Sequence, residues 1–563
     1  VLGSDTHLIA SLLAAVVEHP QRDSASIRTN TSDPGHIVDN TAIPAGSAGR
    51  RLITATLALL IGIAACGFDD GGELAHQRAE ADDGATLTAP DPVDPEGRDE
   101  NNDERSEQRA ARDDDRGGDR RDGAANAAPV GTPGLNQLMI PELLDSFDAN
   151  GVTTYDMSIG PSTHDFGFAS PTDTISYNGQ SILGPTLRWA TGDFVAMNVA
   201  NELTEPTTTH WHGADVPAAA DGGPQSIIEP GDTWTASFQV IQPAATLWYH
   251  PHLKGMSAEQ VFLGGAGMII VDDDNPAAAD LPQTYGVDDI PVILQDREFT
   301  SDGQISFEIN DRGTGDLNPD LTVNGTFDPY TTVPAGPVRL RLLNGSQARV
   351  YRLGVDNGSM VKIASDTGLL EAPVALDTLV LAPGDRAEII VDTSDGNVSV
   401  TDEDFGRVLE LRADRSLPTA EHPPERLAAI ERITNDMIDR DRTFVLDEVE
   451  GGWGINGLQM DMTRIDQTIE FGATERWTIT ARDGIHTFHT HQTMFQILEI
   501  DGRPPPSEDS GWEDNVLVPE GSTVVIAARF DSYTNPNTPY MFHCHILDHE
   551  DTGMMGQFQV IEN

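Results

Sequence analysis

The sequence predicts an all-β protein built from several β-sandwiches. Three observations point that way. The 563-residue chain is rich in glycine and proline, with 53 and 36 of them. Its apolar residues occur in short alternating runs, and turn-forming residues separate those runs at regular intervals. At roughly 100 to 200 residues per domain, the length allows about three or four domains.

The β-like runs begin after residue 135 and continue to the C-terminus. Clear examples are 186–201 (TLRWATGDFVAMNVAN), 338–344 (VRLRLLN), 386–393 (RAEIIVDT) and 523–530 (TVVIAARF). Stretches at 271–282 and 415–436 interrupt the pattern and have the composition of linkers, the second with room for one short helix. We therefore expect three sandwiches, at 135–273, 283–414 and 440–563.

The first 67 residues carry the features of an export signal. Arg50 and Arg51 precede an apolar run in 49–67 (GRRLITATLALLIGIAACG) that is short for a membrane span. The arginine pair favours the twin-arginine route, and 63–66 (IAAC) resembles a lipobox, in which Cys66 would carry a lipid anchor. An ordinary secretory signal and an uncleaved anchor are the alternatives. We expect an exported protein, extracellular or on the outer face of the cell membrane.

Residues 68–134, between this signal and the first sandwich, are highly charged and contain few large apolar side chains. Such a segment cannot bury enough surface to offset the entropy lost on ordering. We expect a disordered acidic linker that connects the signal region to the folded body.

The composition of the whole chain is strongly acidic. Its formal net charge is −57, and Lys254 and Lys362 are its only lysines. This surface repels nucleic acid and anionic membranes, so the sequence excludes nucleic acid as a partner. At high salt, screening removes the self-repulsion of such a surface. We therefore expect a halophilic source.

Ten of the 16 histidines fall into four short clusters. These are HWH (His210, His212), HPH (His250, His252), HTFHTH (His486, His489, His491) and HCHILDH (His543, His545, His549). Alternate side chains of a strand share a face, so an H-x-H pair presents two imidazoles about 6 to 7 Å apart. A single pair could be structural, but four pairs, two in the first sandwich and two in the third, indicate metal binding.

Imidazoles without carboxylate partners suit copper better than calcium or magnesium, and one zinc ion would use only four of them. Cys544 lies between His543 and His545, so strand alternation directs its thiolate to the opposite face. One strand would therefore touch two metal sites. Cys544, His486 and His549 supply the two-imidazole, one-thiolate set of a blue electron-transfer copper, with Met554 as weak axial ligand. Met555 competes with Met554 for that role on residue type alone.

The motifs HWHG, WYHPH, HTFHTH and HCHILDHEDTGMM, in that order, resemble the four copper motifs of the multicopper oxidases. The resemblance is to the three-domain laccase-like and cuprous-oxidase group of bacteria, and it covers about 136–563. Three further segments support it: 220–234 (ADGGPQSIIEPGDTW), 338–349 (VRLRLLNGSQAR) and 512–521 (WEDNVLVPEG). It implies three cupredoxin-like Greek-key β-sandwich domains. The third motif departs from the family pattern at Thr487 and Gln492, neither of which supplies a ligand.

The resemblance also implies four copper ions per monomer, one of type 1, one of type 2 and two of type 3. It assigns the type 2 ligands to His210 and His489. The type 3 ligands are then His212, His250, His252, His491, His543 and His545. The type 1 ligands are His486, Cys544, His549 and Met554.

The activity that the resemblance implies is laccase-like. A phenol or aromatic amine is oxidised one electron at a time at the type 1 copper, and electrons pass through Cys544 to the other three coppers, where dioxygen is reduced to water. Protons for this reaction must come from carboxylates. Asp221 and Glu550 resemble the acidic residues that serve this purpose in the family.

Two other functions remain open on the sequence. A metallo-oxidase acting on Cu(I), Fe(II) or Mn(II) would need methionines or clustered carboxylates near His486. Met460 and Met462 are the nearest such methionines in sequence, and we expect both to be buried in the core. A non-enzymatic copper-binding cupredoxin relative would not need a complete ligand set, and a nitrite-reductase-like protein would not need four H-x-H pairs.

Overall fold

The computed structural model describes residues 133–309, 317–534 and 536–562. The export signal, Cys66 and nearly all of the acidic linker lie outside these residues. The described chain is almost entirely β, which confirms the predicted fold class. Its strands form six sheets, and three large apolar clusters lie between the sheets, one for each sandwich.

The first sandwich contains two sheets whose inner faces meet around Trp189, Trp211 and Tyr249. Before it comes β1 (Asn136–Gln137), which pairs with the middle sandwich although the sequence placed it in the first. The strands of the first sandwich are β2 (Phe147–Asp148), β3 (Thr153–His164), β4 (Thr172–Tyr177), β5 (Leu187–Ala190), β6 (Phe194–Asn201), β7 (His210–His212), β8 (Thr233–Gln239), β9 (Ala245–His250) and β10 (Gly267–Asp272). One sheet has the order β2-β3-β6-β8 with β4 beside β3, and the other has the order β5-β10-β9-β7.

The middle sandwich has two six-stranded sheets around an aliphatic core. Its strands are β11 (Asp289–Arg297), β12 (Asp320–Val323), β13 (Pro329–Pro334), β14 (Pro337–Asn344), β15 (Tyr351–Asp356), β16 (Met360–Ser365), β17 (Gly368–Leu376), β18 (Leu379–Leu381), β19 (Arg386–Asp392), β20 (Val398–Asp402) and β21 (Gly406–Asp414). The sheets have the orders β1-β13-β21-β20-β15-β18 and β12-β11-β14-β19-β16-β17.

The third sandwich packs around an aromatic core that includes Phe444, Trp477, Phe488 and Phe542. Its strands are β22 (Arg440–Val449), β23 (Gly452–Ile455), β24 (Gln467–Glu470), β25 (Thr474–Ala481), β26 (His486–Thr490), β27 (Phe495–Ile500), β28 (Asn515–Val518), β29 (Thr523–Arg529), β30 (Tyr540–Cys544) and β31 (Met555–Ile561). The sheets have the orders β23-β22-β25-β29-β27 and β24-β31-β30-β26-β28.

Helical structure is short throughout the described residues. The α-helices are α1 (Ser257–Phe262), α2 (Pro276–Ala279) and α3 (Leu547–Asp551), and single 3₁₀ turns occur at Ala218–Ala220, Asn435–Met437 and Ser507–Asp509. The second linker therefore holds only the beginning of a 3₁₀ turn where the sequence allowed a short helix. None of the helices in the described ranges is long and apolar enough to cross a membrane.

Candidate metal centres

The predicted ligands lie on two pairs of adjacent strands and on the residues that follow them. In the first sandwich β7 and β9 are antiparallel, with His210 opposite His250. In the third sandwich β26 and β30 are antiparallel, with His489 opposite His543. The strand register therefore already aligns the H-x-H pairs within each sandwich.

Eight histidines from the two sandwiches converge on one buried site. Their donor atoms form three groups, in each of which the atoms lie within 4.8 Å of one another. The groups are His210 with His212 and His489, His212 with His250 and His545, and His252 with His491 and His543. Every group combines residues of the first and third sandwiches, so neither sandwich could form this site alone.

On four of these rings, hydrogen bonding to one nitrogen leaves the other free for a metal. The Nδ1 atoms of His210, His250 and His489 each donate to a backbone carbonyl, at 2.8 Å in all three cases. Because a carbonyl can only accept, the proton is fixed on Nδ1 and Nε2 is left as a lone-pair donor. All three Nε2 atoms are buried and have no partner in the structure.

His212 has the opposite arrangement, with Nε2 3.2 Å from Asp514 Oδ1 and Nδ1 buried without a partner. Burial lowers the pKa of His210, His212 and His545 well below 6.5, and the neighbouring imidazoles lower it further. The rings are therefore neutral, as metal ligands must be. A buried donor set that is almost entirely imidazole fits copper; the Asp221 carboxylate also lies within 4.8 Å of donor atoms of His210 and His491.

The two carboxylates proposed as proton donors contact the outer edges of the ligand rings. Asp221 Oδ2 accepts from His491 Nδ1 at 2.7 Å, and burial raises the pKa of Asp221 well above its usual value. The two carboxylate oxygens of Glu550 lie 3.1 Å from His252 Nδ1 and 3.2 Å from His543 Nδ1. Both residues thus orient ligand rings, and their role as proton donors stays a prediction.

A second, smaller donor set lies on the other side of β30. The Nδ1 atoms of His486 and His549 are 3.1 Å apart, and Cys544 Sγ lies 3.6 Å from each of them. Three donors around a trigonal ion at about 2.0 to 2.3 Å lie roughly 3.5 to 4 Å apart, so this triangle is close to the size that a metal ion needs. Burial raises the pKa of Cys544 to about 12, so binding a metal here must displace the thiol proton.

The structure gives Met554 and Met555, which residue type alone does not distinguish, different surroundings. Met554 lies in the same apolar cluster as Cys544. Its carbonyl accepts from the Cys544 amide at 3.0 Å, and its amide donates to the His549 carbonyl at 2.8 Å. Met555 instead packs with Met460 and Met541 in a separate buried cluster. Met554 is therefore the methionine placed beside the smaller donor set.

Cys544 and its neighbours join the two donor sets through a few covalent bonds. Cys544 belongs to the smaller set, while His543 and His545 belong to the larger one, as strand alternation predicts. Two residues that received no role from the sequence complete the surroundings. The Trp453 ring stacks on His549 with centroids 4.3 Å apart, and Asp514 contacts His212. Asp514 lies in the segment 512–521 noted above, whereas no sequence signal pointed to Trp453.

This constellation, a thiolate site coupled to a site of eight histidines, can be compared with known proteins. Two family models, both described as multicopper oxidase, match residues 160–276 and 422–563. A multicopper oxidase of Staphylococcus aureus is 36% identical over 437 residues, which cover 76% of this chain and 93% of that protein. The chain belongs to the multicopper oxidase family. It is therefore a copper-dependent oxidoreductase that uses dioxygen as electron acceptor.

Other relatives show the range of functions in this neighbourhood. The cell division protein FtsP of Escherichia coli is 36% identical over 462 residues, covering 77% of this chain and 96% of that protein. A solved structure of a laccase-like multicopper oxidase, CueO from Ochrobactrum sp., is 34% identical with a TM-score of 0.70, covering 75% of this chain and all of that one. That enzyme is described as having oxidase activity towards lignin model compounds and lignosulfonate.

Proposed function

We propose that this multicopper oxidase acts as a laccase-like enzyme that oxidises phenols and aromatic amines. In this proposal four coppers bind per chain, one held by His486, Cys544, His549 and Met554 and three by the eight-histidine site. Copper supplies the one-electron redox chemistry that links the organic substrate to dioxygen. The complete donor set supports this function over that of a non-enzymatic relative.

The observation that carries the choice of substrate is the surface next to His486. Ile485 is 39% exposed and directly precedes His486, whose ring lies edge-on to Trp453 at 5.2 Å. This surface offers apolar contact to an aromatic ring within a short distance of the smaller donor set. The thioethers of Met460, Met541 and Met555 are buried against one another, so they do not supply soft ligands for Cu(I) at the surface.

A methionine that the sequence placed in the core is instead exposed. The prediction of burial is correct for Met460, which is 6% exposed, but wrong for Met462, which is 38% exposed. Met462 lies in a loop between β23 and β24, where no strand of the core requires its burial.

A metallo-oxidase acting on Cu(I), Fe(II) or Mn(II) is the second candidate, and carboxylates beside His486 favour it. His486 Nε2 donates to the Asp483 carbonyl at 2.7 Å. A hydrogen bond from Asp447 raises the pKa of the Asp483 carboxyl, and the charge of Asp447 adds to the effect. Both acids thus lie in the neighbourhood of His486, the proposed type 1 ligand, and Asp447 also pairs with Arg482 at 3.2 Å. Such a pair could bind a metal cation, or accept the proton that a phenol loses on oxidation.

The test is a comparison of oxygen consumption with a dimethoxyphenol, an aromatic amine, Cu(I), Fe(II) and Mn(II) on copper-loaded protein in high salt. We expect kcat/KM for the phenol to exceed that for each metal ion. A value for any metal ion tenfold above that for the phenol would show that the laccase assignment is wrong. In that case Asp447→Asn should reduce the metal activity and spare the phenol activity.

The location of the enzyme is also a proposal. We infer export by the twin-arginine route and lipidation at Cys66 from residues 49–67, and a halophilic source from the net charge of −57. Fractionation of cells expressing the full chain and Cys66→Ser tests the anchor. The wild type should sediment with membranes and the variant should be released.

A further inference from the structure

The middle sandwich supplies none of the predicted copper ligands, yet one of its side chains reaches the histidine site. Arg386 is the first residue of β19 and is 1% exposed. A buried guanidinium is costly unless all of its donors are paired, so the partners of Arg386 show what holds it there.

Arg386 makes five side-chain hydrogen bonds, and they extend to all three sandwiches. In the first sandwich, Nε donates to the Thr246 carbonyl at 3.2 Å. In its own sandwich, it donates to the carbonyls of Gly384 and Asp366, at 3.1 Å each. In the third sandwich, it forms a bidentate pair with the Asp514 carboxylate, with distances of 2.8 and 2.5 Å. Five donors with five acceptors leave this side chain one orientation.

Asp514 passes this constraint on to two copper ligands from different sandwiches. Its Oδ1 lies 3.2 Å from His212 Nε2 and 3.5 Å from His489 Nδ1, and its carbonyl accepts from His489 Nδ1 at 2.8 Å. Asp514 is 2% exposed, so its position depends on the groups that bind it. The strongest of these is the Arg386 guanidinium.

Two glycines make room for this arrangement. A Cβ on Gly213, which follows His212, would lie 2.6 Å from Arg386 and 2.7 Å from Asp514. A Cβ on Gly384 would lie 2.9 Å from the ring of His545, a third predicted copper ligand. Both glycines have positive φ angles, 89° and 85°. The loop before β19 is thus packed against the histidine site with no space for a larger residue.

We propose that Arg386 is a positioning residue for the oxygen-reducing copper site: by fixing Asp514, it sets the orientation of His212 and His489 and joins the middle sandwich to a site built by the other two. Loss of the guanidinium leaves the Asp514 carboxylate buried and unpaired. Asp514 then rotates or recruits water, and His212 loses its fixed hydrogen-bond acceptor. His489 keeps its hydrogen bond to the Asp514 carbonyl but loses the carboxylate charge that lies 3.5 Å from its Nδ1.

The test compares Arg386→Gln and Arg386→Lys with Arg341→Gln. Arg341 is a matched control because it is also buried, at 3% exposed, and also holds a bidentate pair, with Asp289 at 2.7 and 3.0 Å. Unlike Asp514, Asp289 does not contact a predicted copper ligand. The readouts are copper bound per chain at limiting free copper, the type 2 resonance signal and the blue absorption of the type 1 site. None of them depends on the reducing substrate, so failure here is distinct from failure of the proposed function.

We expect Arg386→Gln to weaken copper binding at the histidine site by about 10- to 100-fold and to alter the type 2 signal, with the blue absorption retained. Arg386→Lys keeps the charge but not the bidentate geometry, so it should restore part of the affinity. Arg341→Gln should leave both spectra and the affinity unchanged. Unchanged type 2 signal and copper affinity in Arg386→Gln, or equal losses in Arg341→Gln, would overturn the proposal.

Gly384→Ala tests a second contact between the middle sandwich and the histidine site, at His545, and does not remove a charge. The added methyl group meets the His545 ring, so we expect altered type 3 copper with an intact blue site. If Arg386→Gln does not fold, Arg386→Lys and Gly384→Ala decide the matter. Wild-type copper affinity and spectra in both would refute the proposal.

Discussion

Glu550 gives the sharpest prediction because both of its oxygens contact ligand rings. In the wild type, one carboxylate lies 3.1 Å from His252 Nδ1 and 3.2 Å from His543 Nδ1. With Nε2 of each ring bound to metal, both Nδ1 atoms carry protons and need acceptors. Glu550→Gln keeps one acceptor oxygen but places an NH₂ group against the other Nδ1–H. His543 Nδ1 also lies 3.1 Å from the Cys544 carbonyl and keeps that acceptor, so the buried donor left without an acceptor is the new NH₂ group.

An unsatisfied buried donor costs about 1 to 3 kcal/mol, which corresponds to a roughly 5- to 150-fold loss. We expect this loss in turnover with oxygen and in copper affinity of the histidine site. Substrate should still reduce the type 1 site at the wild-type rate in the absence of oxygen, as monitored by the bleaching of the blue band. A loss of turnover and copper affinity with an unchanged reduction rate would place the effect of the substitution at the histidine site and not at the type 1 site.

Glu475→Gln is the control, because Glu475 is also buried in the third sandwich but is bonded to Arg442 and Trp477. It should lower stability without changing the ratio of the two rates. If Glu550→Gln turned over oxygen at the wild-type rate with all copper retained, the argument that Glu550 orients both rings would be refuted.

Three further predictions follow from the site and the charge. Cys544→Ser should abolish the blue colour and turnover while copper in the histidine site remains, as measured by absorption and metal analysis; persistent blue colour would require Cys66 as the ligand. Burial raises the pKa of Glu513, with Asp366 adding to the effect. The protonated Glu513 carboxyl therefore stabilises the fold at low pH, and this stabilisation is lost as the pH rises through the raised pKa. Relative to the wild type, Glu513→Gln should raise the melting temperature more at pH 8 than at pH 5, and an equal rise at both pH values would contradict this. Finally, the net charge of −57 predicts a melting temperature that rises from 0.1 M to about 2 M KCl, as screening reduces repulsion; calorimetry showing no rise would argue against self-repulsion.

The two carboxylates predicted as proton donors show what motif position alone can predict. Sequence position selected Asp221 and Glu550, and both lie at the histidine site. The environments of the two differ, however. Burial keeps the pKa of Asp221 high, whereas burial of Glu550 is outweighed by His252 and His543, which hold its pKa well below 4.5. Which of the two supplies protons stays a prediction.

A partly open pocket beside Arg386 is a second place where charged side chains of the middle and third sandwiches meet. It has a volume of about 240 Å³ and is lined by Arg386, Asp366, Glu513 and Lys362 among others. Charges from the middle and third sandwiches thus meet next to the histidine site. The contact between these sandwiches therefore combines ion pairs, such as that of Arg386 with Asp514, with apolar packing.

The sequence alone determined the chemistry of the ligands and their division between two faces of a strand. That division follows from alternation, which depends only on the local backbone: Cys544 had to face away from His543 and His545 once this segment was a strand. The all-β class followed in the same way from period and turn residues, both of which are local properties.

Only the tertiary structure decided which groups share a site. His252 lies within reach of His543, 291 residues away, because the first and third sandwiches pack together. The place of Arg386 likewise depends on contacts between distant parts of the chain, because its partners Thr246 and Asp514 belong to the other two sandwiches. Strand period fixes the face on which a side chain lies, but the neighbour on that face is set by how the sandwiches pack, and no local pattern in the sequence records that packing.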